Sequence, residues 1–233
     1  MTTLEIRGVS KFWGGNRALN NVSMNIEEGI TGIVGPNGAG KTTLVNVVAG
    51  QVHPTSGQVL YMGEDITSLP PYKRARMGIV KTFQVVRPFR SLTIVENLEL
   101  FSRVRGKSDV EKILNMTGLS DLRERTPTEL PFGVLKKLEI AKALAANPDV
   151  LLLDEPFGGL GGEDIEKLSN IIKGLREQGK CIVVIEHKIW ALVRLVDRII
   201  LLDRGEKKFE GNASDFIKNE KIGEFYFGGI ADA

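Results

Sequence analysis

A glycine-rich loop that ends in lysine and threonine is the first feature of this sequence that could do chemistry. The stretch Gly35 to Thr42 reads GPNGAGKT and matches G-x-x-x-x-G-K-[ST] in full, between the apolar run ITGIV and a helical run, Thr42 to Ala49. Backbone N–H groups of such a loop point at phosphate oxygens, and the N-terminus of the following helix adds a partial positive charge. The loop therefore predicts binding of a nucleoside triphosphate.

Two side chains of this loop have specific expected roles. Lys41 is expected to bridge the β- and γ-phosphates, and Thr42 is expected to offer its hydroxyl to Mg²⁺. A chance glycine turn seldom matches all eight positions between a strand and a helix. The residues predicted to contact the nucleotide are Gly35, Pro36, Asn37, Gly38, Ala39, Gly40, Lys41, Thr42 and Thr43.

A pair of carboxylates follows the apolar run VLLL. Asp154 and Glu155 would lie at the carboxyl end of a buried strand, where open α/β sheets hold their ligands. Asp154 is expected to hold Mg²⁺ through a water molecule, and Glu155 to orient and deprotonate an attacking water. A kinase would use the same loop with an acceptor pocket in place of the water-activating acid, and that alternative stays open at this point.

Three segments of the chain must position these residues. Short alternating apolar runs from Leu4 to Tyr61 predict strands, and the segment from about Thr67 to Ala146 has mainly helical spacing. From Val150 onward, short apolar strands alternate with helices, which favours a parallel sheet covered on both faces. We therefore expect an α/β fold in which the first and last segments share one sheet and the middle segment is an inserted helical subdomain.

The composition excludes several classes of protein. The chain has 233 residues with a net charge of +2, which gives no support to nucleic-acid binding. Its only cysteine, Cys181, lies in the apolar run CIVVI, so we expect a buried, inert thiol and a reducing compartment. The N-terminus does not resemble a signal peptide, and no apolar stretch reaches the roughly 18 residues of a membrane-spanning helix.

The order of the motifs is more specific than any of them alone. The phosphate loop is followed by Gln84 in TFQVVRPFRSLTIVENL, then by LPFG, VLLLDEP and IVVIEH. This series resembles the ATP-binding subunit of ABC transporters over about Leu4 to Gly211. The stretches GPNGAGKTTL and LEIAKALAANPDVLLLDEPFGGL are most similar to the ATPases of branched-chain amino acid importers.

The resemblance implies a fold and a division of the chain. It implies one ABC ATPase domain over residues 1–233, with the P-loop NTPase fold, a mixed sheet and an N-terminal antiparallel β part. Residues 1–84 and 147–233 would form the nucleotide-binding core, and residues 85–146 the helical subdomain. The cofactors it implies are ATP and Mg²⁺.

The resemblance also implies roles for three further side chains. Gln84 would sense Mg²⁺ and the attacking water, as both a metal ligand and a catalytic residue. His187 would contact the γ-phosphate and help to hold that water. An aromatic ring near the N-terminus would stack on adenine, and the match falls on Trp13, with Phe12 as the second choice.

The chain departs from the family at its signature motif. The family's Leu-Ser-Gly-Gly-Gln is replaced by Leu130-Pro-Phe-Gly-Val134, which keeps Gly133 and the start of a helix from Val134 to Ala146. Gly133 would still face ATP held by the opposite subunit, through backbone N–H groups and the partial charge of the helix end. We expect Lys136, Lys137 and Lys142 to point outward from this helix, with Leu135, Leu138, Ala141 and Ala145 inward. Gly161, in the run GGLGG, replaces an aspartate that helps two subunits communicate.

The resemblance implies partners and a location. ATP would be held between two ATPase subunits, either two copies or this chain and a sister. Membrane-spanning permease subunits would dock near Val85 to Leu98, on the cytoplasmic face of the cell membrane. Two alternatives remain: a soluble ABC-type ATPase that is not coupled to transport, and a nucleotide-dependent regulator that does not hydrolyse. The apolar tail, residues 223–233, is expected to pack on the core or on a partner.

Overall fold

The structure is a computed structural model that describes residues 2–106 and 108–219. The expectation about the tail at 223–233 lies outside the described residues. Two sheets and the helices around them make up the fold. The strands are β1 (Thr2–Trp13), β2 (Asn16–Glu27), β3 (Gly29–Val34), β4 (Ser56–Tyr61), β5 (Glu64–Asp65), β6 (Ile79–Lys81), β7 (Val150–Asp154), β8 (Cys181–Ile185), β9 (Arg198–Asp203) and β10 (Glu206–Asn212).

The helices lie mostly between strands and in the middle of the chain. They are α1 (Lys41–Val48), α2 (Pro71–Met77), α3 (Ile94–Ser102), α4 (Val110–Thr117), α5 (Phe132–Ala145), α6 (Gly162–Glu177), α7 (Ile189–Leu192) and α8 (Ala213–Lys218). Helices α3, α4 and α5 pack against one another. None of the helices in the described ranges combines the length and the apolar character that crossing a bilayer requires.

The larger sheet has the order β10-β9-β3-β8-β7-β6. Neighbouring strands from β9 to β6 are parallel, and only the edge strand β10 is antiparallel to its neighbour. The smaller sheet, β2-β1-β4-β5, is antiparallel. This arrangement confirms the predicted α/β fold with a mixed sheet and an N-terminal antiparallel part.

The parallel sheet is covered on both faces because its central strands β3, β7 and β8 are mainly apolar and almost entirely buried. All five residues of β7 are buried, and its four apolar side chains alternate between two core clusters. Leu151 and Leu153 face the cluster that includes α5, α6 and α7. Val150 and Leu152 face the cluster that includes α1 and the antiparallel sheet. Such two-sided burial is what a continuous apolar strand predicts.

Cys181 is buried as predicted, and burial raises the pKa of its thiol to about 12.

A buried arginine completes one helix end. Arg74 on α2 is completely buried and donates hydrogen bonds to the carbonyl oxygens of Val47 and Val48, at the C-terminal end of α1. Because the last carbonyls of a helix lack partners within it, Arg74 completes the end of the helix that follows the phosphate loop.

The sequence-based orientation of α5 is wrong for two of its three lysines. Lys136 and Lys142 are each only 4% exposed, and Glu139, which lies between them, is 6% exposed. Their charged ends form hydrogen bonds with backbone carbonyls and, for Lys142, with the Glu139 carboxylate. The physical reason is that a long charged side chain can be buried when its head group finds carbonyls or a carboxylate. Leu138, Ala141 and Ala145 are buried as predicted.

Candidate active site

The functional residues predicted from the sequence gather at one edge of the parallel sheet. Asp154 pairs in register with Ile185, the last residue of β8, and Ile185 pairs with Ile33 near the end of β3. The segments that follow β3, β6, β7 and β8 therefore leave the sheet side by side. These segments carry the phosphate loop, Gln84, Glu155 and His187, respectively.

The phosphate loop has the backbone that its glycines predict. Gly35 has φ 151° and Gly40 has φ 101°, both outside the range that ordinary side chains adopt. A Cβ atom on Gly35 would lie 2.1 Å from the carbonyl oxygen of Leu202, and one on Gly40 would lie 2.4 Å from that of Ala18. Glycine is therefore required at both positions for the loop to pass so close to neighbouring backbone.

Lys41 folds back onto the loop that precedes it. Its Nζ donates to the carbonyl oxygens of Gly35 at 2.7 Å and Pro36 at 2.9 Å, and the residue is 5% exposed. Burial lowers the pKa of the Lys41 ammonium, while the carboxylates of Glu155 and Asp154 oppose that shift. The ammonium group thus lies at the loop that is predicted to bind phosphate.

A cavity of about 320 Å³ opens beside this loop. Trp13 lines it and is 53% exposed, and Lys11 Nζ lies 4.3 Å from the centre of its ring. Phe12, the second choice for stacking on adenine, is not among the lining residues in the described part of the chain. The lining residues are Trp13, Asn16, Arg17, Ala18, Asn37, Gly38, Ala39, Gly40, Lys41, Thr42, Thr43, Glu155 and His187.

The carboxylate of Glu155 is held by two side chains from different segments. Gln84 Nε2 donates to Glu155 Oε2 at 2.6 Å, and His187 Nε2 lies 2.9 Å from Glu155 Oε1. The backbone of Glu155 has φ 50°, a strained value for a residue with a side chain. The structure therefore brings together the three residues predicted to be catalytic.

Asp154 is buried beside this cluster and has one oxygen without a hydrogen-bond partner. It is 2% exposed, and its Oδ2 lies 3.0 Å from Nζ of Lys81 on the neighbouring strand β6. Its Oδ1 finds no hydrogen-bond partner within residues 2–106 and 108–219. A buried, unpartnered carboxylate oxygen fits a position where Mg²⁺ or its water would bind. Thr42, on the same cavity, has an exposed side chain.

Sequence reasoning missed Glu186, a buried carboxylate between the two catalytic segments. It is 2% exposed and accepts hydrogen bonds from the backbone N–H groups of Phe157 at 2.6 Å and His187 at 3.0 Å. Burial raises the pKa of its carboxyl, and these backbone donors oppose the shift. Glu186 thus ties the segment after Glu155 to the segment that carries His187. Its position directly before the histidine was the only signal in the sequence.

Gly133 lies at the start of α5 and is not among the residues described as lining the cavity. A Cβ atom at this position would lie 2.9 Å from Asp164 Oδ2. The ring of Phe132, which is 48% exposed, packs against Gly159 in the segment that follows Glu155. Gly133 therefore does not join its own chain's phosphate site.

Comparisons with known proteins match these features. A profile of the family described as ABC transporter matches residues 19–158. The chain is also 34% identical over 247 residues to the probable branched-chain amino acid transport ATP-binding protein LivG of Archaeoglobus fulgidus. That match covers 98% of this chain and 96% of the relative.

Solved structures of ATP-binding cassettes are also similar to this chain. An ATP-binding cassette of an ABC transporter in its ADP conformation superposes with a TM-score of 0.88 at 30% identity, over 98% of this chain and 99% of that chain. A dimeric cassette in a post-hydrolysis state, bound to ADP and Pi, superposes with a TM-score of 0.80 at 30% identity, over 90% of this chain and 98% of that chain. The resemblance inferred from the motifs is therefore confirmed: this chain belongs to the ABC transporter family, is one of its nucleotide-binding cassettes, and is an ATPase.

Proposed function

We propose that this chain is the ATP-hydrolysing subunit of an importer for branched-chain or related amino acids. The observation that carries the proposal is the carboxylate of Glu155, which is held by Gln84 and His187 at the cavity of the phosphate loop. The solute class is supported by the relative from Archaeoglobus fulgidus, a probable branched-chain amino acid transport ATP-binding protein.

Glu155 is the general base in this proposal. A carboxylate within hydrogen-bond reach of a water near the γ-phosphate can accept its proton as the water attacks. Gln84 and His187 fix the orientation of the Glu155 carboxylate. When a water molecule is bound beside this carboxylate, the same two side chains help to orient it. Lys41 exchanges its contacts with the carbonyls of Gly35 and Pro36 for contacts with the β- and γ-phosphates.

The proposed ligands of Mg²⁺ are the hydroxyl of Thr42, the amide of Gln84 and the carboxylate of Asp154. The unpartnered Oδ1 of Asp154 supports this assignment. When bound, the ion neutralises charge on the β- and γ-phosphates. Lys81 pairs with the other oxygen of Asp154 and neutralises part of the charge of this buried carboxylate.

The remaining site residues are assigned by position. The exposed ring of Trp13 would stack on adenine, which its place on the cavity supports. Gly133 would contact a nucleotide held by a second subunit, and the solved dimeric cassette supports pairing. We assign residues 1–84 and 147–233 to the nucleotide-binding core and residues 85–146 to a helical subdomain.

The segment Val85 to Leu98 is the proposed docking surface for permease subunits. Val85 is 67% exposed and Phe89 is 46% exposed, so apolar side chains of this segment are accessible to a partner. A groove of about 290 Å³ beside them is lined by Val86, Pro88, Arg90, Pro127, Thr128, Leu130 and Leu135. Docking there would place the subunit on the cytoplasmic face of the membrane.

A second candidate function is a nucleotide-dependent regulator that hydrolyses slowly or not at all. Pro131 at the N-cap of α5 has no N–H group to offer a phosphate, and Phe132 stands where the family has glycine. The two candidates differ in what they require of Glu155, because a regulator needs only nucleotide binding.

Solute uptake by cells that lack this chain tests the first candidate. We expect deletion to abolish uptake of labelled leucine, the parent chain to restore it, and Glu155→Gln to leave it abolished. Uptake of labelled glucose is the control and stays unchanged. Restoration of leucine uptake by Glu155→Gln would favour the regulator, and unchanged uptake after deletion would refute the assigned solute class.

A further inference from the structure

Helix α5 presents a row of buried charged side chains to the edge of the sheet that carries the active site. Lys136, Glu139 and Lys142 are spaced three residues apart and are all at least nine-tenths buried. Residues spaced in this way lie on one side of a helix. Their polar atoms bond to backbone atoms of the segment from 83 to 87, which includes Gln84.

Glu139 and Lys142 hold this segment but do not touch the catalytic carboxylate. Glu139 accepts from the backbone N–H groups of Phe83 and Arg87, each at 3.4 Å. Lys142 Nζ donates to the carbonyl oxygen of Arg87 at 2.9 Å and to Glu139 Oε2 at 2.8 Å. Their burial is explained by this mutual pair and by docking of α5.

Lys136 makes different contacts. Its Nζ donates to the carbonyl oxygen of Gln84 at 2.9 Å and to that of Glu155 at 3.2 Å. These are the same two residues whose side chains meet at 2.6 Å, from Nε2 of Gln84 to Oε2 of Glu155. Gln84 and Glu155 are therefore joined twice, once directly through side chains and once through Lys136 at their backbones.

The backbone that Lys136 holds is strained. Glu155 has φ 50°, and a residue other than glycine keeps such a value only when its surroundings enforce it. Its N–H donates to the carbonyl oxygen of Ile185 and its carbonyl oxygen accepts from the N–H of Gly158, and Lys136 adds a contact from helix α5. A shift of α5 would therefore act on the carbonyl of Glu155 directly.

We propose that Lys136 is a positioning residue for hydrolysis, which aligns the backbones of Gln84 and Glu155 and passes displacements of α5 to the catalytic carboxylate. This inference rests on the proposed role of Glu155 as the general base. Gly133, which is proposed to contact the partner's nucleotide, lies one helical turn before Lys136. Lys136 thus links that contact to the chain's own Glu155 within a single turn of α5.

The test compares phosphate release and nucleotide affinity for substitutions on one helix face. In the full chain, Lys136→Met removes both hydrogen bonds while keeping a side chain of similar length. We expect kcat to fall by about 10-fold or more, since small misplacements of catalytic groups have large effects on rate. We expect Kd for trinitrophenyl-ATP to stay within about twofold, because Lys136 is not among the described residues that line the nucleotide cavity. Lys136→Arg, which keeps a charged donor, should recover part of the lost kcat.

Lys142→Met is the matched control for a purely structural role. It removes a buried cation from the same face of α5, but one that bonds to Arg87 and Glu139 instead of Glu155. We expect Tm to fall at least as far as in Lys136→Met, with a smaller loss of kcat. If Lys136→Met does not fold, Lys136→Gln, which keeps one donor group, takes its place in the comparison.

Two results would overturn the inference. One is a kcat for the Lys136 variant within twofold of the parent. The other is an equal loss of kcat in the Lys136 and Lys142 variants that follows their loss of Tm. Failure of the proposed function looks different, because then the parent releases no phosphate or Glu155→Gln releases it as fast as the parent.

Discussion

At the scale of single residues, two buried charges of the active site are held by backbone groups. Lys41 Nζ donates to two carbonyl oxygens of its own loop, and Glu186 accepts hydrogen bonds from the backbone N–H groups of Phe157, His187 and Lys188. Such contacts hold a charged side chain in place without a second charged group. The two carboxylate oxygens of Glu155 are contacted instead by the side chains of Gln84 and His187. Charged groups held in this way are expected to influence stability as well as rate.

Glu186→Gln should change how stability depends on pH. Burial raises the folded-state pKa of Glu186, so the folded chain binds this proton more tightly than the unfolded chain does. The resulting stability is fully present below the unfolded pKa and is lost as pH rises through the folded pKa. Urea unfolding from pH 4 to pH 8 should therefore show the parent losing stability relative to Glu186→Gln as pH rises. A difference between the two proteins that stays constant over this range would contradict the prediction.

The residues of the site divide by what a sequence can reveal. Glu155 was predictable because it follows a buried strand, and open α/β sheets hold their ligands at the carboxyl ends of their strands. His187 was identified through the resemblance to the ABC transporter family. Lys81 and Glu186 were not, because their partners come from distant segments whose contacts no spacing encodes. The hydrogen bond from Gln84 to Glu155 was likewise invisible, although both residues were assigned to the site.

At the scale of elements, α5 shows how burial can oppose a sequence pattern. The helix was predicted from Val134 to Ala146 and extends over Phe132–Ala145, so its extent was nearly right. The predicted outward orientation of Lys136 and Lys142 was wrong. Charged residues are ordinarily exposed, and the sequence pattern cannot show that backbone carbonyls of another segment accept hydrogen bonds from these two lysines. Tertiary partners, and not helical periodicity, decide which face of α5 is buried.

Arg74 is a second case in which a tertiary contact completes an element. Its guanidinium donates to Val47 and Val48 in α1 and to Thr67 and Leu69 in the loop before α2. Burial lowers the pKa of this guanidinium to about 10, so it remains charged at neutral pH. The helix that follows the phosphate loop is therefore capped by a residue from a different element.

Arg74→Met should destabilise the fold by about 3 kcal/mol or more, since several buried carbonyls would lose their donors at once. The free energy of unfolding in urea measures this loss. Arg76→Met, an exposed position on the same helix, is the control, with an expected change within about 0.5 kcal/mol. A loss at Arg74 no larger than that of the control would show that water replaces its contacts.

At the scale of the whole molecule, the residues proposed to contact nucleotide lie in two separate places. Gly133 lies outside the cavity described in its own chain, while the phosphate loop, Glu155 and His187 lie along it. The overall architecture was predictable from alternating apolar strands and helices, but the strand order β10-β9-β3-β8-β7-β6 was not. That order depends on which crossovers pack best, and apolar runs of equal character do not distinguish them.

ATP should cause two copies of the Glu155→Gln chain to associate. The γ-phosphate held by one chain would attract the N-terminus of α5 in the other, and slow hydrolysis would let the pair persist. Light scattering after size-exclusion chromatography should give a dimer mass with Mg-ATP and a monomer mass with Mg-ADP. A monomer with both nucleotides, at concentrations that saturate ATP binding, would contradict pairing of identical chains.

The most direct test of the central claim is the rate of phosphate release by the parent and by Glu155→Gln at saturating Mg-ATP, together with the ATP affinity of each. Removing the general base should lower kcat by about 100-fold or more, because such catalysis contributes at least that factor. The Kd for ATP should stay within about twofold. Equal rates of phosphate release by the two proteins would contradict the assignment of Glu155 as the residue that activates water.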